Sequence, residues 1–124
     1  MTYLTDHFDT TEFECPCCGK NYKISALKSL ANALEIMRSE INSPIIITSG
    51  RRCIEHNAEL DNSVPNSQHV IGCACDLYSP NISITRLACV AYLAGFRYIG
   101  IGDDFLHVDM RDFGNSGAGA IWRY

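Results

Sequence analysis

The sequence predicts an α+β fold: a small, mainly antiparallel sheet with two main helices. Two observations carry this. Helical and strand-like segments do not alternate strictly along the chain, and hairpin-like connections dominate the second half, which favours an antiparallel sheet over a parallel α/β one. With 124 residues, 47% of them hydrophobic and 19% charged, the chain fits one ordinary domain, residues 1–124.

Each element has its own local reason. From Ile24 the residues Leu27, Leu30, Ala31, Leu34, Met37 and Ile41 recur at intervals of three and four. That is a long amphipathic helix with Ser25 as its N-cap, closed by Pro44. "PIIITSG" reads as a short buried strand of β-branched residues ended by Gly50. A loop rich in Asn, Ser and Pro follows from Asn57 to Gln68. "CACDLY" alternates as a strand, and "SITRLACVAYLAGF" reads as a second helix, with Ser83 at its start and Gly95 at its end. "YIGIG" and "FLHVDM" are two further strands facing each other across a Gly-Asp-Asp turn.

Composition excludes some classes of function. The net charge is −4 and the basic residues are scattered, so no nucleic-acid footprint is present. "MTYLTDHFDT" lacks the basic and then apolar pattern of a secretory signal, and no stretch reaches membrane-spanning length. The expectation is synthesis in the cytoplasm, no membrane segment and a monomer.

Seven cysteines suggest thiols or metal in a reducing compartment, and their odd number argues against complete pairing. Cys73, Cys75 and Cys89 sit among apolar residues and read as packed thiols. Cys15, Cys17 and Cys18 crowd together in "FECPCCGK", with Cys53 able to approach them. A second metal or a disulfide to Cys53 stands there against packed thiols in a turn capped by Gly19.

The chemistry concentrates in "NSQHVIGCACDLY". His69 and Asp76 are seven positions apart, a separation of about 23 Å in extended chain and about 10 Å in helix. Two ligands of one zinc each lie only about 2 Å from the ion. To share an ion, the backbone must double back between them, and Gly72 is the residue suited to a tight bend. His107 is the better third ligand, because its strand also projects Asp109 on the same face, with the carboxylate of Asp104 three residues upstream. Two histidines and one carboxylate, with a fourth position left for water, form the ligand set of a catalytic zinc.

The segments "SGRRCIEHN", "PNSQHVIGCACD" and "FLHVDM", in this order, resemble the zinc D-alanyl-D-alanine carboxypeptidase and L-alanyl-D-glutamate endopeptidase (endolysin) family, the peptidoglycan branch of the LAS metallopeptidases. Its signature, S-x-H-x-x-x-G-x-A-x-D followed by a distant H-x-D, fits Ser67, His69, Gly72, Ala74, Asp76, His107 and Asp109. "TTEFECPCCG" and the terminal "IWRY" resemble the ends of short members.

The resemblance implies a hedgehog/DD-peptidase-like fold and one catalytic Zn2+ held by His69, Asp76 and His107. It implies Asp104 as the base and Arg52 facing the substrate carbonyl. Arg51 stands where an aromatic residue is more usual, so which arginine points inward is left open. Asp109 would hold the second nitrogen of His107. A regular strand would send Asp104 to the face opposite His107, which predicts a turn beginning at Gly102 or Asp103. Ser67 and His56 are candidates for support or substrate contact, whereas Trp122 and Tyr124 read as packing residues.

The implied activity is hydrolysis of a peptidoglycan peptide bond, with the substrate reached on release at lysis or with the help of another protein. Two rivals stand beside it: an inactive zinc-binding cell-wall recognition module of the same fold, and a zinc-ribbon-like interaction protein built on Cys15, Cys17, Cys18 and Cys53. The HExxH motif is absent, which excludes ordinary zincin chemistry.

Overall fold

Alternation along a strand sends successive side chains to opposite faces of a sheet, and this rule organises the molecule. A computed structural model describes residues 1–60 and 67–124. Five strands, β1 (Ile46–Ser49), β2 (Ala74–Tyr78), β3 (Tyr98–Ile101), β4 (Leu106–Asp109) and β5 (Ala120–Arg123), form one sheet in the order β1-β2-β4-β3-β5. Three of the pairings are antiparallel and β3–β5 is parallel. The sheet is therefore mixed: mainly antiparallel, as the sequence predicts, with one parallel pairing at the β3–β5 edge.

The register places Cys75 opposite Val108 and Leu77 opposite Leu106, with Ile99 beside Val108. These five are fully buried in the core, together with Leu27, Leu30, Leu34 and Met37 of helix α1 (Ile24–Ile41) and Leu87 and Ala91 of α4 (Ile84–Ala94). α1 and α4 pack on each other. The same alternation puts Asp76, His107, Asp109, Gly100 and Trp122 on the other face. Polar chemistry and apolar core thus occupy opposite faces of one sheet.

Several local expectations are corrected. α1 begins at Ile24 with Lys23 before it and no side-chain cap, so Ser25 lies inside the helix rather than at its N-cap. Asn42 in the left-handed conformation ends α1, and Pro44 comes two residues later. β1 is half exposed rather than buried, because it is the outermost strand beside β2. α2 (Ile54–Glu59) extends into the start of the expected Asn57–Gln68 loop and α3 (Gln68–Ile71) begins at its last residue, while residues 61–66 of that loop lie outside the described ones. A 3-10 helix, Thr10–Phe13, and β5 were not expected. Cys75 is buried as expected, but Cys89 is exposed on α4.

The ends of α4 follow the sequence reading. The Ser83 side chain accepts from the Arg86 N–H, and Gly95 takes φ +121 at the C-terminus. The β3–β4 connection is also a turn, closed by the Gly102 N–H donating to the Phe105 carbonyl at 2.9 Å. Among the described residues, no helix is long and apolar enough to cross a membrane.

Candidate metal centre

Asp76 and His107 are direct cross-strand partners on β2 and β4, so the antiparallel register alone brings their side chains within reach. His69 arrives from α3, whose N-cap Ser67 accepts the His69 N–H at 3.2 Å. The chain does bend between His69 and Asp76, with the Gly72 N–H donating to the Gln68 carbonyl. Gly72, however, has φ −126, so the bend needs no left-handed residue. A Cβ there would meet the far end of the Gln68 side chain, which is free to swing aside.

The three groups converge. His69 Nε2 lies 3.1 Å from Asp76 Oδ1, His107 Nδ1 lies 3.1 Å from the same oxygen, and the two nitrogens are 3.2 Å apart. Three ligands of a tetrahedral zinc, each about 2 Å from it, stand about 3.3 Å from one another. The observed triangle is of that size.

The tautomers follow from the remaining partners. His69 Nδ1–H donates to the Gly50 carbonyl at 2.7 Å, and His107 Nε2–H donates to Asp109 Oδ2 at 2.8 Å. In neutral imidazoles this leaves His69 Nε2 and His107 Nδ1 as bare lone pairs, aimed at each other and at a carboxylate. Such a set repels itself unless a proton or a cation lies between its members. The donor chemistry therefore fits a borderline metal such as zinc.

The titration tendencies express the same field. Burial raises the Asp76 carboxyl, but hydrogen bonds with His107 and then His69 outweigh it and hold the group well below the usual carboxylate range. Burial disfavours the His107 imidazolium, but Asp109 and Asp76 prevail and raise its pKa above 6.5. Asp109, also buried, is brought down by His107 and Arg111.

Arg52, not Arg51, reaches this centre. Its Nη2 donates to Asp76 Oδ2 at 3.3 Å, its Nε to Ser49 Oγ at 3.1 Å and its Nη1 to Asn57 Oδ1 at 3.1 Å. A β-bulge in β1 sets Ser49 opposite Asp76, re-aiming the chain end toward the site. Asp104 is exposed on the β3–β4 turn. It lines a cleft of about 520 Å³ with Thr48, Asp76, Tyr78 and Phe105.

His56 is not drawn into the triangle: its backbone N–H donates to Cys53 Sγ, and among the described residues its imidazole has no hydrogen bond. His7 pairs with Glu35 of α1 at 2.7 Å.

Four contributors escaped the sequence reading. The Tyr22 hydroxyl donates to the Ala74 carbonyl at 2.8 Å and accepts the Ala74 N–H at 3.2 Å, clasping the start of β2 from 52 residues away. Burial keeps that phenol protonated far above its ordinary range. Arg111 grips Asp109 through Nε and Nη2, both at 2.9 Å. Asn57 and the Gly50 carbonyl complete the set, and only Gly50 had a local signal, a glycine at the end of a strand. Trp122 stands 5.5 Å from His107, ring centre to ring centre, and Tyr124 stands 6.1 Å from Trp122. The two form an aromatic wall over Gly100, where a Cβ would meet both rings.

A second group of candidate ligands, Cys15, Cys18 and Cys53, gathers elsewhere, and all seven cysteines are free thiols. Burial raises the Cys15 thiol, but the N–H groups of Cys53, Cys18 and Cys17 and the Cys18 thiol outweigh it and bring it to about 7.

Against known families, the model of the family described as Peptidase M15 matches residues 6–109. No curated protein matches the chain significantly.

Proposed function

The chain belongs to the Peptidase M15 family, and from that premise we propose that it is a zinc-dependent peptidase of bacterial peptidoglycan, with residues 1–124 acting as one catalytic unit. The observation that carries the reading is the triangle of His69 Nε2, Asp76 Oδ1 and His107 Nδ1, whose lone pairs call for a cation. His69, Asp76 and His107 would hold the zinc. Bound there, the cation acidifies a water and polarises a peptide carbonyl.

The remaining steps belong to the chain's own groups. Asp104, on the cleft that also exposes Asp76, takes the proton of the attacking water and returns it to the leaving nitrogen. The Arg52 guanidinium, fixed by Ser49, Asn57 and Asp76, presents a permanent positive charge to the oxyanion that develops on the carbonyl. Asp109 keeps the His107 ring turned with Nδ1 inward. Phe105 of the cleft packs on Tyr124 at 5.1 Å between ring centres, and Tyr124 in turn on Trp122, so the aromatic wall adjoins the cleft. The endolysin-type range of bonds, L-Ala-D-Glu or D-Ala-D-Ala, rests on the resemblance of the S-x-H-x-x-x-G-x-A-x-D and H-x-D segments.

The test is digestion of purified sacculi followed by mass spectrometry of the released muropeptides. Lysis should stop in chelator and return with zinc. Asp104→Asn should bind zinc normally while losing about 10²–10⁴-fold in rate. Unchanged lysis in chelator overturns the metal mechanism, and full activity of Asp104→Asn removes the assigned base.

A further inference from the structure

The cysteine cluster has features that the peptidase chemistry does not use. Cys15, Cys18 and Cys53 bring their sulfurs within 4.8 Å of one another, and the exposed Cys17 lines the same cavity as Cys18 and Cys53. Within "CPCC", Cys15 and Cys18 have the C-x-x-C spacing that lets one tight turn aim two sulfurs at a single ion. That turn is built: the Cys15 N–H donates to the Lys20 carbonyl at 2.8 Å, and the Gly19 N–H donates to the Cys15 carbonyl at 2.7 Å, with Gly19 at φ +73.

Backbone donors already point at the sulfurs. The Cys53 N–H donates to Cys15 Sγ at 3.4 Å and the His56 N–H to Cys53 Sγ at 3.3 Å. Amide hydrogen bonds of this kind stabilise thiolate ligands from outside the coordination sphere. Lys20 and Arg51 line the same cavity, of about 510 Å³, as Cys17, Cys18 and Cys53. Arg51 Nη1 is buried there without a hydrogen-bond partner among the described residues. Glu55 lines that cavity too, but no ion pair joins it to Arg51 among the described residues, and a group of thiolates would give the arginine a negative counterpart.

We propose that Cys15, Cys18 and Cys53 form a second cation site, a structural all-sulfur centre that takes zinc, with the exposed Cys17 thiol turning in on binding as its fourth ligand. On binding, four S–H groups release their protons to solvent and four metal–sulfur bonds form, with no electron transferred. Four protein ligands leave no open position, so the centre is structural rather than catalytic. It fastens the 15–19 turn to the start of α2. Gly50 and Arg52, which serve the first centre, lie within three residues of Cys53 and are steadied by it. A single disulfide would use only two of the sulfurs and would put no negative charge beside Arg51 and Lys20.

The full chain, purified under reducing conditions with zinc, should carry two zinc ions. X-ray absorption should show sulfur neighbours at about 2.3 Å together with nitrogen or oxygen neighbours. The double variant His69→Ala/His107→Ala should keep one zinc with sulfur neighbours alone. This separates the inference from the proposed peptidase activity, which fails if only the nitrogen and oxygen shell is missing. Cys18→Ser/Cys53→Ser should lose the sulfur signal and one zinc; if that variant does not fold, the wild-type and histidine-variant spectra still decide. One zinc per chain with no sulfur neighbour overturns the proposal, as does a thiol titration of the denatured zinc-loaded chain that finds two fewer thiols than the seven cysteines.

Discussion

At the scale of single residues, the candidate site depends on which nitrogen of each imidazole is free. Asp109 decides this for His107, and it is wholly buried with its charge shared between His107 and Arg111. Asp109→Asn should lower zinc affinity about 10–100-fold, read by competition with a chromophoric chelator; an unchanged affinity would mean that the ring is fixed by packing alone. The titration tendencies set a pH dependence. His107 is raised above 6.5, so in the metal-free protein its contribution to stability is complete below 6.5 and fades as the pH rises through the folded value. Asp76 and Asp109 are lowered from 3.8, so their contributions are complete above 3.8 and fade as the pH falls through their folded values. Thermal unfolding of the chelated protein should therefore show these contributions together between about pH 4 and 6.5. Zinc reverses the upper limit, since the proton on His107 must leave before the metal binds. Affinity should fall as the pH drops through the raised His107 value, and a flat profile from pH 8 to 5 would contradict the assignment of Nδ1 as ligand.

At the scale of elements, what could be read in the sequence was whatever repeats. The three- and four-residue spacing of Leu27 to Ile41 foretold α1, and Ser83 and Gly95 bracketed α4, because a long apolar stripe and its caps are local signals. His107 and Asp109 on one face of β4, and the turn that frees Asp104 from that strand, followed from period-two geometry. The short elements left no such trace. α2 and α3, of six and four residues, are held by caps from Cys53 Sγ and Ser67 Oγ rather than by an apolar stripe. β5 exists because β3 offers it an edge. Tyr22 cannot be found from sequence at all, since its partner lies 52 residues away. The end of β1 shows how such distant packing reaches the site. A Cβ on Gly50 would stand 2.5 Å from the Phe13 carbonyl oxygen and 2.6 Å from the Phe13 Cα, and both are backbone atoms that cannot swing aside. Gly50→Ala should therefore destabilise the chain by about 1–3 kcal/mol. It should also displace the carbonyl that orients His69, weakening zinc binding in the same chelator competition. Wild-type affinity in this variant would show that the Gly50 carbonyl is dispensable.

At the scale of the whole molecule, the three candidate ligands come from one short helix and two neighbouring strands far apart along the chain. His69 sits on α3, Asp76 on β2 and His107 on β4. An ion held by all three binds the folded chain and not the unfolded one, so its binding energy adds to folding stability. At free zinc 1,000-fold above the dissociation constant the gain is about 4 kcal/mol. For a chain of 124 residues that corresponds to a rise in melting temperature on the order of 10–20 °C. The increment should fall in His107→Ala, which removes one corner of the triangle, to the share that the cysteine centre contributes. It should survive in Asp104→Asn, which leaves the triangle whole. Calorimetry of the three proteins with and without zinc separates a ligand from a base independently of any substrate. Equal increments in all three would place the stabilising metal elsewhere than between His69, Asp76 and His107.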